Sequence, residues 1–157
     1  MRGTIVCSVS DTEEGHGALG AAVELSERLG LRLVLAHVAT GIALNGDENA
    51  AAESVSMQAD RQGATRLLAR LAAEYGVGES AERREAVGEE AALLGQIAAE
   101  EAADVIVVGA RLRGRLRRGL ESRLADQLET ESPVPVLIAP PRTRGMDRSA
   151  ATNRARR

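Results

Sequence analysis

The sequence predicts an α/β protein built on an open, doubly wound parallel sheet with helices on both faces. Two observations carry that expectation. Short apolar runs alternate with segments of helical period, the pattern of right-handed strand-helix-strand crossovers. The run Val105-Ile106-Val107-Val108 is β-branched throughout and does not alternate with polar residues, as a strand covered on both faces requires. With 157 residues, 44% hydrophobic and 27% charged, the chain is about one domain long.

The first strand is expected over Thr4 to Val9 and the second over Leu31 to Val38. Between them Ala18, Leu19, Ala22, Val23, Leu25 and Leu29 recur at three- and four-residue spacings, and Gly30 supplies a C-cap. The stretch Gly41 to Asn49 reads as a long loop on the edge of the sheet where ligands bind in open α/β folds. A second helix is expected from Ala51 to Tyr75, with Leu67, Leu68, Leu71 and Ala72 on one face and Gly76 at its end. The third run, Ala81 to Val87, is mostly polar through Arg83, Arg84 and Glu85, which suits an edge strand. The third helix runs from Glu89 to Glu101 and opens on two acids that favour the helix dipole. The fourth helix runs from Leu120 to Thr130 and stops before Pro133. The fifth strand, Val134 to Ile138, is flanked by Pro133 and interrupted by Pro135, which places it at an edge as well. No domain boundary is visible over 1–141.

Composition removes several classes of function. All 20 basic residues are Arg, so no lysine is present for Schiff-base or general-base chemistry. A single aromatic residue, Tyr75, argues against base stacking on aromatic platforms, and hence against nucleic acid as a partner. One cysteine, Cys7, forms no internal disulfide, and with His16 and His37 it shows no zinc-ligand spacing, so no metal site is expected. No apolar run approaches the ~18 residues of a membrane span, and Met1-Arg2 leads straight into the first strand without a signal-peptide profile, so a cytoplasmic protein is expected. Residues 142–157 carry six Arg against one Asp, or +5, which leaves −8 for the body within a formal net charge of −3. That Arg-rich segment is poor in apolar residues and reads as a flexible extension.

Two stretches carry a family resemblance. The segment from Ala98 through Asp104 and Val105-Ile106-Val107-Val108-Gly109, followed by Ala110-Arg111-Leu112-Arg113-Gly114 and by Ser132-Pro133-Val134-Pro135-Val136-Leu137, resembles the universal stress protein family. The earlier part, from Ala18 to Leu35-Ala36-His37-Val38, is similar to that family's first helix-strand step. The resemblance covers residues 3–140 and implies a Rossmann-like sheet of order 3-2-1-4-5. It also implies a homodimer joined through the last strand, Val134 to Ile138, and a stress-response role. Some members of the family bind ATP and others do not.

The ATP-binding members carry G-x-x-G and then a later G followed by S or T, where glycines let backbone N–H groups close on phosphates at a helix N-terminus. Here Gly109 matches. The second glycine falls on Leu112, the third on Ser122 and the hydroxyl on Arg123, while Gly114 and Gly119 lie off the motif positions. The family's Asp at the end of strand one falls on Ser10, with Asp11 beside it. The implied pocket positions are Val9, Ser10, Val38, Gly109, Leu112, Gly114, Ser122 and Arg123. These departures point to a degenerate nucleotide pocket in a non-enzymatic signalling protein, because Leu112 and Ser122 place side chains where backbone must approach. Against that stands an alternative in which Arg111, Arg113, Arg115, Arg117, Arg118 and Arg123 grip the phosphates of ATP or another adenine nucleotide, with Mg. Nothing supplies a placed general base, so hydrolysis would at most be slow.

Single residues read more plainly. His37 is expected to be a hydrogen-bonded structural histidine, and His16 an exposed one in a glycine-flanked loop before the first helix. Cys7 reads as a small buried hydrophobe. Asp104, at the N-terminal end of its strand, is expected to cap or pair structurally, and Glu13-Glu14 and Glu89-Glu90 to begin helices.

Overall fold

In a computed structural model, residues 2–39, 50–110 and 123–142 are described. The elements are β1 (Thr4–Ser8), α1 (Glu13–Leu29), β2 (Arg32–Ala39), α2 (Ala50–Glu74), β3 (Glu82–Val87), α3 (Glu90–Glu100), β4 (Val105–Gly109), α4 (Arg123–Glu131) and β5 (Val136–Ala139). All pairings are parallel, and the strand order is β3-β2-β1-β4-β5, as the resemblance implied. The polar third strand and the proline-flanked fifth strand are the two edges. The fifth strand begins at Val136, two residues later than expected, because Ser132 Oγ and Val134 close a turn instead. The start expected for α4 at Leu120 lies outside the described residues.

Strand periodicity divides the core in two. Ile5, Cys7, Val9, Leu33, Leu35 and Val107 face one side, where Leu19, Ala22 and Val23 of α1 and Leu68, Leu71 and Ala72 of α2 cover them. Val6, Val34, Ala36, Ile106 and Val108 face the other side under Leu94 and Ile97 of α3 and Leu128 of α4. Because the centres of β1 and β4 are covered on both faces, Ile5-Val6-Cys7 and Ile106-Val107-Val108 are apolar at consecutive positions and do not alternate.

Local chemistry sets the ends of the elements. Thr12 caps α1 by accepting from the Gly15 N–H at 3.1 Å, and Gly30 ends the helix in the left-handed region at φ 65°. Gly76, at φ 73°, does the same after α2. Glu89 caps α3 through its carboxylate, which accepts from the Ala91 and Ala92 amides. At the opposite end of the sheet the Thr4 N–H donates to Asp104 Oδ2 at 2.7 Å, the structural pairing expected for that residue. Cys7 is buried, and burial pushes its thiol pKa up, so it stays neutral.

Candidate functional site at the switch point of the sheet

The strand order reverses between β1 and β4, whose onward helices lie on opposite faces. In such a sheet the carboxyl ends of these two strands border the crevice where ligands bind. Four of the expected pocket residues are brought to this edge: Val9 and Ser10 just after β1, Val38 near the end of β2, and Gly109 at the end of β4. Leu112, Gly114 and Ser122 lie outside the described residues, as do the arginines of 111–118. Arg123 is the first residue of α4.

The rim is built by close backbone approach. Val9 extends the β1 pairing by donating its N–H to Ala36 O at 2.8 Å, and its own carbonyl accepts from His37 Nδ1 at 2.7 Å. His37 is therefore the hydrogen-bonded structural histidine the sequence suggested. Ser10 Oγ and Thr12 Oγ1 lie 2.8 Å apart, so the hydroxyls of the loop are paired with each other. A Cβ added at Gly109 would stand 2.1 Å from the Glu14 carbonyl oxygen, and one at Gly15 would stand 2.1 Å from that of Ser10. The first turn of α1 thus presses directly on the end of β4 and on its own preceding loop. On the other face, Ser8 Oγ donates to Glu90 Oε1 at 3.3 Å, joining the end of β1 to the start of α3.

The structure corrects the expectation for His16. It is not an exposed loop residue but lies within α1, only 4% exposed. Gly15 and Gly17 mark backbone contacts rather than a loop, since a Cβ at Gly17 would stand 2.0 Å from the Pro140 carbonyl oxygen. The imidazole Nδ1 is 2.8 Å from the Tyr75 hydroxyl, and Nε2 is 3.0 Å from Asp11 Oδ1. Asp11 Oδ2 in turn accepts from Arg70 Nη2 at 2.8 Å. This chain of polar contacts was missed by sequence reasoning, although a lone tyrosine and a glycine-flanked histidine were its two visible signals. It draws Asp11 toward α1 and α2.

Arg142, the first residue of the Arg-rich segment, packs on α1. Its N–H donates to Glu13 O at 2.9 Å, and its guanidinium lies over Gly20, 3.8 Å from Glu24. Residues 143–157 lie outside the described residues. Among the described residues no group of three or more His, Cys, Asp or Glu could hold a metal ion, and no helix is long and apolar enough to cross a membrane.

An open parallel sheet whose order reverses between β1 and β4, with α1 touching β4 at Gly109, defines a doubly wound α/β architecture. The family model described as Universal stress protein family matches residues 1–140, and the chain belongs to that family. Among solved structures, universal stress protein UspA from Lactobacillus plantarum is similar with a TM-score of 0.70 at 16% identity, over 88% of this chain and 99% of that one. A universal stress protein from Archaeoglobus fulgidus gives 0.62 at 21% identity, over 88% and 99%. A universal stress protein in complex with cAMP gives 0.60 at 20% identity, over 87% and 96%. At these identities the likeness shows the fold alone. Against curated proteins the sequence finds no match.

Proposed function

We propose that this is a non-enzymatic, cytoplasmic stress-response protein that acts as a dimer and carries a degenerate nucleotide pocket. The observation that carries this reading is the state of the rim. Ser10 occupies the position of the family's carboxylate and is bonded to Thr12, while the neighbouring Asp11 is committed to His16 and Arg70. With Leu112, Ser122 and Arg123 at the phosphate-loop positions, the sequence departs from the motif at both ends of a bound nucleotide. Calorimetric titration with ATP and Mg²⁺ tests this: the wild type is expected to be silent, and Ser10→Asp combined with Leu112→Gly, Ser122→Gly and Arg123→Ser is expected to restore binding. Micromolar binding by the wild type would overturn the reading.

The second reading, an adenine-nucleotide binder with a modified phosphate loop, is favoured by the close backbone contact between Gly109 and α1 and by the neighbour solved with cAMP. In that case the arginines of the loop hold the phosphates in place of backbone amides. Running the same titration with cAMP alone separates the two, since a cyclic monophosphate needs no Mg²⁺ clamp.

The exposed edge at β5 supports a dimer formed there. Leu137 is 40% and Ile138 41% exposed on an edge strand, and an apolar edge of this kind is stabilised by pairing with its own copy. Light scattering is expected to give the mass of two chains, and Leu137→Arg to shift it toward one. A wild-type mass of one chain would remove the dimer from the proposal.

A further inference from the structure

We propose that Pro140, Pro141 and Arg142 form a strap that seats in a notch made by Gly17 and Gly20 of α1 and holds the first turn of that helix against the end of β4. The rim of the switch-point crevice then answers to the residues that follow the last strand. The exit from the sheet is fixed first. The Ala110 N–H donates to Ala139 O at 2.7 Å, which ties the last residue of β5 beside the end of β4. Two prolines follow; neither has an N–H to continue the ladder, and each keeps the residue before it extended. Arg142 brings the next backbone donor, which goes to Glu13 O at 2.9 Å in the first turn of α1. The Glu14 carbonyl oxygen, next along the chain, is the atom that a Cβ at Gly109 would meet. The strap and β4 thus hold the same turn through consecutive carbonyls.

The notch exists because two side chains are missing. Gly17 and Gly20 stand three residues apart, on one face of α1. A Cβ at Gly17 would stand 2.0 Å from Pro140 O, and the next atoms it would meet are Pro140 C and Pro141 Cα, both at 2.9 Å. At Gly20 the three nearest atoms all belong to the Arg142 guanidinium: Nη1 at 2.2 Å, Cζ at 2.8 Å and Nε at 3.2 Å. Every one of these atoms belongs to the strap. Gly95, in the middle of α3, would meet nothing within 4 Å, so close seating is not general to the helical glycines of this chain. Glycine weakens a helix interior relative to alanine, and at these two positions of α1 that loss is offset by room for the strap. Glu24 lies 3.8 Å from Arg142 and is about half exposed, a geometry in which an ion pair contributes little, so the seat is steric more than electrostatic. The joint is present whether or not a nucleotide enters the crevice.

Gly17→Ala in the full chain tests the strap, because its two effects have opposite signs. At a free helix position alanine raises stability, whereas under a seated strap its Cβ must displace backbone. The expected result is a melting temperature lower by about 5 °C. Amide exchange at Gly15 and His16, which donate to Thr12 in that first turn, is expected to speed up about tenfold, with Ile97 and Ala98 of α3 unchanged. A raised melting temperature, or unchanged exchange at Gly15 and His16, overturns the proposal. Should Gly17→Ala not fold, Gly20 decides, since the atoms facing it are the movable end of one side chain. Gly20→Ala is expected to raise the melting temperature by about 2 °C more in an Arg142→Ala background than in the wild type, because only the wild type loses the guanidinium from its seat. Equal shifts in the two backgrounds overturn the proposal.

Discussion

Gly109→Ala is expected to destabilise the protein by about 3 kcal/mol, lowering its melting temperature by roughly 6–12 °C for a chain of this size. The added Cβ would stand 2.1 Å from the Glu14 carbonyl oxygen and 2.5 Å from its carbon, both backbone atoms that cannot swing away as a side-chain tip could. Relief requires the first turn of α1 to lift off β4, and that turn is held by the Thr12 cap, by Gly15 against Ser10 and by the Pro140 carbonyl at Gly17. Gly95→Ala, in the middle of α3, provides the contrast. Nothing lies within 4 Å of the Cβ it would add, so alanine there gains about 0.5–1 kcal/mol through lower backbone entropy in the unfolded chain. Denaturant unfolding of the two variants measures both signs in one experiment. If Gly109→Ala lies within about 0.5 kcal/mol of wild type, the scale of ordinary surface substitutions, the tight contact between β4 and α1 is not what holds the crevice wall.

The same glycines show why some of this architecture could be read in advance and some could not. The β-branched run of β4 and the proline-flanked β5 follow from local rules, since burial on both faces and a missing N–H leave direct marks on sequence. Gly30 likewise has a local meaning, a left-handed helix end. Gly15 and Gly17 do not: their absent side chains answer to Ser10 and to Pro140, the latter more than a hundred positions away in sequence. Read locally they spell a loop, and His16 between them was expected at the surface when it is buried. The polar character of β3 was legible as an edge, but its cause was not, because the partners of Arg84 are the two acids at the end of α3. At the site, the positions around Ser10 and Gly109 could be placed from motif spacing. The turning of Asp11 toward Arg70 and His16 depends on how α1 and α2 pack, which no spacing records.

Those two acids set up the second large effect, an acid-dependent stability centred on Glu101. Its carboxylate, 13% exposed, accepts from Arg32 at 2.9 Å and from Arg84, while Arg32 also pairs with Glu82 at 2.7 Å and Arg84 with Glu100. Burial alone would raise the Glu101 pKa, but the hydrogen bonds from Arg84 and Arg32 outweigh it and hold the group below the ordinary carboxylate value. Arg84, bonded first to Glu100, and Arg32, bonded first to Glu82, are correspondingly held charged. Glu101→Gln therefore leaves two guanidinium groups facing an amide, at a cost of about 2 kcal/mol at pH 7, the scale of hydrogen bonds to charged groups. Because folding lowers this pKa, the contribution is complete above the unfolded carboxylate's value of about 4.3 and is lost as pH falls through the lower folded value. Unfolding free energies of wild type and Glu101→Gln are thus expected to differ at pH 7 and to converge as the pH falls through the lowered folded value, where the wild-type carboxylate also becomes neutral. Salt distinguishes the arms of the network: Glu82 is 54% exposed, so Glu82→Gln is expected to cost less in concentrated salt, whereas most of the Glu101 effect persists. A gap between wild type and Glu101→Gln that stayed constant down to strongly acid pH would mean that the variant acts through packing at the end of α3 and not through the charge that ties α3 to β2 and β3.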